Sequence, residues 1–247
     1  MSKGPSGFID AGQCEQGLPW LWDEPPQAAS GTLILAHGAG APMDSPFMQY
    51  MAQGLAARGV RVVRFEFAYM AQRRVDGRKR PPNPQAQLLQ QWRDIYAQVR
   101  QRVAGPVAIG GKSMGGRMAS LLADELGASV LICLGYPFYA AGKPEKPRVA
   151  HLAALRTPTL IIQGERDALG NRETVAGYDL SAAIELHWLP AADHDLKPLK
   201  ASGFNHEQHL DSAVQAIADR LQSCGWGGEA PSSVLFSWRG CGKSGCA

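Results

Sequence analysis

Gly111-Lys112-Ser113-Met114-Gly115 is the stretch on which the reading of the whole chain turns. It has the pattern G-x-S-x-G, which carries meaning only between a strand and a helix. Upstream, Pro106-Val107-Ala108-Ile109 is a short apolar run that fits a buried strand. Downstream, Met114, Met118, Leu121, Leu122 and Leu126 recur at helical spacing until Gly127, a natural helix stop. The pattern predicts a sharp strand-to-helix turn that raises the Ser113 hydroxyl above a sheet edge. Glycines two residues to each side let strand and helix approach where a β-carbon would clash. The helix also aims its positive N-terminal end at the serine.

A phosphate-binding loop competes for Gly111-Lys112-Ser113. The pattern G-x-x-x-x-G-K-[ST] needs glycine at position 106, where this chain has Pro106, and a loop where it has a strand. Glycine at 105 is one residue out of register, so nucleotide binding is set aside.

The chain has 247 residues, enough for one α/β domain with a full core. Its 45% hydrophobic and 19% charged residues describe a globular protein. A net charge of +3 gives no argument for nucleic acid. Met1 to Trp20 has no basic patch followed by an apolar run, and no stretch approaches a membrane span, so neither a secretory signal nor a membrane partner is expected. Five cysteines show no metal-ligand spacing, and Cys133 falls in an apolar run. No metal or other cofactor is expected, and a reducing, cytoplasmic setting is the default.

Taken in order, residues 1–30 form a turn-rich N-terminal extension in which Trp20-Leu21-Trp22 is the one plausible strand. Thr32 to Ala36 is a buried strand running into His37-Gly38-Ala39-Gly40-Ala41. Ser45-Pro46 starts a helix with Phe47, Met51 and Leu55 on its buried face, ended by Gly59. Val60 to Phe65 is the next strand. Arg73 to Arg80 is a basic loop, followed by a helix from Pro84 to Val103 with Leu88, Trp92, Ile95 and Val99 inward. Val130 to Leu134 is a strand, and Gly135 to Arg148 is proline-rich and irregular. Thr159 to Ile162 and Ile184 to Leu189 are strands, leading to Asp167 and His194 respectively. A last helix carries Leu210, Val214, Ile217 and Leu221. The domain then spans 31–222, and 223–247 reads as a flexible glycine-, serine- and cysteine-rich tail. Within that tail Cys241 and Cys246 could pair on a metal, but the lone spacing is weak. Alternating strands and helices predict an α/β protein, its sheet mostly parallel with helices on both faces. Ligands of such sheets sit beyond the carboxyl ends of the strands, where every one of these loops lies.

A serine hydroxyl needs a base to take its proton, and a histidine needs a carboxylate to fix its tautomer. Strand–turn–helix serines of this kind are followed along the chain first by the acid, then by the histidine. Ser113, Asp167 and His194 have that order, each just after a strand. His37 precedes a glycine loop, His151 and His187 lie before or within elements, and His206 and His209 lie beside the last helix. Asp193, Asp195 and Glu165 are rival acids, although residues adjacent to a histidine seldom reach its ring. An oxyanion needs backbone N–H donors. One is expected from Met114, the residue after the serine, and one from Ala39, with Gly40 as the next choice. Gly38-Ala39-Gly40 lacks the third glycine of a dinucleotide fingerprint, and a ligand-free tight turn is the alternative.

Four motifs carry a resemblance: His37-Gly38-Ala39-Gly40, Arg78-Lys79-Arg80-Pro81-Pro82, Gly111 to Arg117, and Ala192-Asp193-His194-Asp195. Together they resemble the α/β-hydrolase-like family that includes the testis-expressed and NSL-complex proteins and bacterial relatives. More broadly, the chain is similar to dienelactone-hydrolase-type enzymes. The resemblance covers roughly residues 30 to 222. It implies an α/β-hydrolase fold and serine hydrolase chemistry on a small-molecule, ester-like substrate, with no particular substrate or oligomeric state. Some eukaryotic relatives serve as scaffolds, so a non-enzymatic binding protein on the same fold is the alternative. There is no room between Leu134 and Thr159 for a large cap domain. Tyr136, Phe138 and Tyr139 are then expected to wall the site, with ordinary loop packing equally available to them. A small open site suits small esters or thioesters. The basic loop could select anions at the rim, but a solvated loop explains it more simply, and it lacks the interleaved aromatics of a nucleic-acid surface.

Overall fold

The computed structural model of the chain describes residues 9–226. Its centre is a strand set whose residues are apolar on both faces. Gly31–Ala36 (β3), Val60–Phe65 (β4), Val107–Lys112 (β5), Leu131–Leu134 (β6) and Thr159–Gly164 (β9) are almost wholly buried. Continuous burial of this kind marks parallel strands covered by helices on both sides. Ile9–Gln13 (β1) and Pro19–Asp23 (β2) enter the same sheet, and Ile184–Leu189 (β10) closes it in the order β1-β2-β4-β3-β5-β6-β9-β10. From β4 to β10 every pairing is parallel; β2 runs antiparallel to β4 and β1 antiparallel to β2. This is the α/β-hydrolase fold.

The two-residue side-chain period of a strand sorts the core into two layers. Leu33 and Leu35 face Pro46–Ala56 (α1) and His206–Leu221 (α6), where Met48, Met51, Leu55, Val214 and Ile217 are buried. Ile34 and Ala36 face Gln85–Arg102 (α3) and Met114–Ser120 (α4), with Trp92, Ile95, Val99 and Met118. Trp92 meets Phe65 edge-on at 4.8 Å. Ala68–Asp76 (α2) and the single turn Arg172–Val175 (α5) complete the helices. A hairpin, Tyr139–Ala140 (β7) with Lys143–Pro147 (β8), is the only strand structure between β6 and β9, so there is no large cap. Among the described residues no helix is long and apolar enough to cross a membrane.

Five local expectations are corrected. The N-terminal stretch supplies two strands, because β2 finds hydrogen-bond partners on the free edge of β4. Arg73 and Arg74 belong to α2, which ends at Gly77 in a left-handed cap. The helix after Ser113 stops at Ser120, whose hydroxyl turns back onto the Arg117 carbonyl at 2.8 Å; turns then carry Leu122 and Leu126 inward. The irregular segment after Gly135 contains the β7–β8 hairpin. Trp226 packs against Gly31 and is 2% exposed, so residues 223–226 are packed chain, while residues 227–247 of the expected tail lie outside the described residues. Cys241 and Cys246 lie outside the described residues.

One buried ion pair ties the antiparallel edge to the parallel sheet. Arg64 of β4 makes a bidentate bond to Asp23 of β2 at 2.8 and 2.9 Å, with both side chains 2% exposed, and donates to the Met43 carbonyl at 3.0 Å. Removing one partner of such a pair strands the other charge out of water. Arg64→Met is expected to lower the unfolding free energy by about 3–5 kcal/mol in urea titration, whereas a loss below about 1 kcal/mol would contradict this account of the edge.

Candidate active site

The turn after β5 is as sharp as its glycines allow. Ser113 has φ 50° and ψ −115°, a conformation that costs a residue with a β-carbon about 1–3 kcal/mol. It is tolerated because a β-carbon on Gly111 would lie 2.6 Å from the Ala36 carbonyl oxygen and one on Gly115 2.5 Å from that of His37. Strand, turn and helix are thus pressed against the neighbouring strand end. The Ser113 N–H donates to Leu134 O at 2.9 Å, and Arg117 N–H donates to Ser113 O at 3.0 Å.

Three residues distant along the chain meet here. The Ser113 hydroxyl lies 2.9 Å from His194 Nε2, and His194 Nδ1 lies 2.8 Å from Asp167 Oδ2. An ionised carboxylate only accepts, so Nδ1 carries the ring proton and Nε2 is free to accept from the serine. Asp167 is fully buried, and both its oxygens are used: Leu169 N–H donates to Oδ1 at 2.7 Å and Gln163 Nε2 to Oδ2 at 2.9 Å. The rival acids are engaged elsewhere. Glu165 pairs with Arg172 at 2.7 Å, Asp193 accepts the N–H groups of Asp195 and Lys197, and Asp195 faces Lys112.

The loop after β3 forms the opposite wall. His37 is fully buried, and burial holds its imidazole below the ordinary histidine range. Its Nε2 accepts from Phe67 N–H at 3.1 Å, leaving Nδ1–H to donate to the Gly38 carbonyl at 2.6 Å. The Tyr69 hydroxyl lies 3.3 and 3.0 Å from the Gly38 and Ala39 carbonyls, and Arg73 donates to the Gly40 carbonyl at 3.2 Å. In a trans peptide the carbonyl of one residue and the N–H of the next point to opposite sides. With the Gly38 and Ala39 carbonyls drawn toward α2, the Ala39 and Gly40 N–H groups turn the other way. Lower in the loop, Met43 is held at both ends, its N–H on buried Glu66 at 3.2 Å and its carbonyl on Arg64. Glu66 is itself paired with Arg74, which also binds Asp44 at 2.6 Å. The basic stretch thus fastens the loop through Arg73 and Arg74, while Arg80 is engaged by Asp76.

Between the walls lies a cleft of about 430 Å³ lined by Ala39, Gly40, Phe47, Lys112, Ser113 and His194, among others. Tyr136 and Phe138 do not line it. Both are fully buried, packed edge-on at 4.9 Å, with the Tyr136 hydroxyl on the Arg148 carbonyl at 3.1 Å; ordinary packing has claimed the expected wall. Tyr139 is likewise buried. Among the described residues no group of three or more His, Cys, Asp or Glu side chains is arranged to hold a metal ion.

Gln163 escaped the sequence reading. It is the next-to-last residue of β9, fully buried, and it accepts from Tyr136 N–H at 2.7 Å while donating to Asp167. A glutamine inside an apolar strand was the available signal, since a buried amide needs partners.

Residues 29–222 match the family described as "Alpha/beta hydrolase domain", and the chain belongs to that family. Its fold is similar to that of a serine hydrolase without a lid from Xanthomonas campestris, at 21% identity and a TM-score of 0.65, covering 90% of this chain and 96% of that one. An α/β serine hydrolase homologue from Coxiella burnetii matches at 18% identity and TM-score 0.66, over 89% and 100% of the two chains. A dienelactone hydrolase from Anabaena variabilis matches at 20% and 0.67, over 88% and 98%. At these identities the likeness is one of fold.

Replacing Gln163 with Leu leaves the Tyr136 N–H without its buried acceptor and removes one of the donors to Asp167, a loss of about 2–3 kcal/mol. Differential scanning calorimetry should show Tm lowered by about 4–10 °C. An unchanged Tm would mean that the amide is not needed there.

Proposed function

We propose that this α/β hydrolase is a serine hydrolase acting on a small ester or thioester, carboxylesterase-like in its chemistry. The observation that carries the reading is the unbroken chain of hydrogen bonds from Ser113 through His194 to Asp167, at 2.9 and 2.8 Å. Ser113 attacks the acyl carbonyl as His194 Nε2 takes its proton. Asp167 keeps the proton of His194 on Nδ1 and stabilises the imidazolium that forms. His194 then returns a proton to the leaving alcohol or thiol, and an incoming water repeats the sequence to free the acid.

The charge that develops on the carbonyl oxygen needs donors already in place. Ala39 N–H is assigned that role together with Met114 N–H, with Gly40 N–H beside them. The turning of the Gly38 and Ala39 carbonyls toward α2 favours this assignment, and the α4 N-terminus adds a favourable field. A cleft of about 430 Å³ without a large cap favours a small acyl group. A cytoplasmic setting, a hydrolase unit spanning 31–222, and kinship with the testis-expressed and NSL-complex branch belong to the same proposal.

A fluorophosphonate probe should label the protein on Ser113, and p-nitrophenyl acetate should be turned over. Ser113→Ala should abolish labelling and lower kcat by about 10⁶. A wild-type protein that neither labels nor turns over the ester would favour a binding or scaffold role.

A further inference from the structure

Lys112 is the residue immediately before the serine, and its ammonium is buried. The residue is 8% exposed, although it ends a strand and its side chain reaches the cleft. Taking an ammonium out of water costs several kcal/mol unless its protons find partners. An apolar side chain would fill the same space more cheaply. The partners are specific: Nζ donates to the His194 carbonyl at 2.6 Å, lies 3.2 Å from Asp195 Oδ1, and sits 5.6 Å from the centre of the Phe47 ring.

The crossing is possible because of Gly135. Lys112 pairs with Leu134 on β6, so Gly135 lies directly in the path to the β10 loop. Gly135 has φ +63°, and a β-carbon there would stand 2.8 Å from the His194 carbonyl oxygen, 3.2 Å from Lys112 Nζ and 3.4 Å from His194 Cε1. The space a side chain would occupy holds the lysine and the histidine instead.

Three consecutive carbonyls of the histidine loop accept side-chain hydrogen bonds. His194 takes Lys112, Asp195 takes His206 at 3.0 Å, and Leu196 takes His209 at 3.2 Å. His206 and His209 belong to α6, but Lys112 comes from the strand that carries the serine. It is one residue from Ser113 and holds the carbonyl of His194 itself. The two reacting side chains are therefore joined twice, once by Oγ and Nε2 and once through the backbone by Lys112.

We propose that Lys112 is a positioning residue, whose ammonium clamps the His194 carbonyl and the Asp195 carboxylate and so holds the imidazole at bonding distance from the Ser113 hydroxyl. This rests on the triad proposed above. It also predicts a dependence on pH. Burial holds the Lys112 ammonium below the ordinary lysine range, opposed by the carboxylate of Asp195 beside it and, at longer range, by the charges of Asp167 and Asp193. A rise in pH through that lowered value removes the charge and loosens Asp195, so acylation of Ser113 should fall along an alkaline limb.

The test compares the full chain with Lys112→Met, Lys112→Arg and Asp195→Asn, using p-nitrophenyl acetate kinetics, fluorophosphonate labelling and hydrogen exchange. Lys112→Met should lower kcat by about 10- to 100-fold with KM changed less than about threefold, the signature of misplacement rather than lost substrate contact. Amide exchange over residues 190–198 should quicken by about tenfold while α3 is unaffected. Lys112→Arg should recover part of kcat and move the alkaline limb upward, because a guanidinium keeps its charge. Wild-type kcat and exchange in Lys112→Met would overturn the proposal, as would a raised KM with unchanged kcat. Should Lys112→Met fail to fold by circular dichroism, Asp195→Asn, altering a side chain 73% exposed, carries the test. It should lower kcat by about 3- to 10-fold and quicken the same exchange, and wild-type behaviour in both would overturn the clamp. An unreactive wild type would end the triad reading and Lys112's role in it, whereas the exchange measurement reports on the clamp independently of activity.

Discussion

The backbone at Ser113 is the constraint to which the rest of the structure answers. A residue with a side chain is held at φ 50° and ψ −115°, which persists only where the surroundings over-determine it. They do so through the close approach of Gly111 and Gly115 to the Ala36 and His37 carbonyls. That contact fixes where β5 ends, where α4 begins and how near β3 must lie. Because the central strands are parallel, their carboxyl ends share one rim, and the loops bearing His37, Asp167 and His194 arrive there without further devices.

What turns a rim into a cleft is the handling of carbonyl groups. On one side Gly38, Ala39 and Gly40 direct theirs to His37, Tyr69 and Arg73; on the other, His194, Asp195 and Leu196 direct theirs to Lys112, His206 and His209. Both walls are irregular backbone, and both are tied from behind by side chains on regular elements, Tyr69 and Arg73 of α2 on one side and Lys112 of β5 with His206 and His209 of α6 on the other. Asparagine 205 contributes at a distance, since its capping box with Gln208 begins α6 where His206 and His209 can reach the loop. The proposed hydrolysis calls for preorganised walls of this kind, because no reorganisation is then left for the moment of reaction.

The parts of the fold read directly from sequence were those with strong periodicity. β3 to β6, β9, α1, α3 and α6 carry strong apolar patterning, and the inward residues of α3 and α6 are the expected ones. On α1 Met51 and Leu55 are buried as expected, but Met48 takes the inward place expected of Phe47, which lines the cleft. The elements missed are short and polar. α2 buries only Tyr69 and Met70 among charged neighbours, β8 is exposed along its length with two lysines and two prolines, and β1 has no alternation to read. That Ser113, Asp167 and His194 would meet at one rim was legible because each follows a clear strand. The side chains that hold them were not, because Lys112 and Gln163 look like ordinary polar residues until burial is known. Tyr136 and Phe138 illustrate the converse: aromatic residues in a loop near a site, taken up instead by the core between β6 and β9.

The account depends on His194 standing between Ser113 and Asp167 as one proton-transfer chain. Proton NMR in water examines that arrangement directly, through the imidazole proton shared with a buried carboxylate. The wild-type protein should show a single exchangeable resonance far downfield of the amide region, assigned to His194 Nδ1–H, absent in Asp167→Ala and retained in Ser113→Ala. A spectrum without it, or one in which Asp167→Ala leaves it unchanged, would contradict the arrangement.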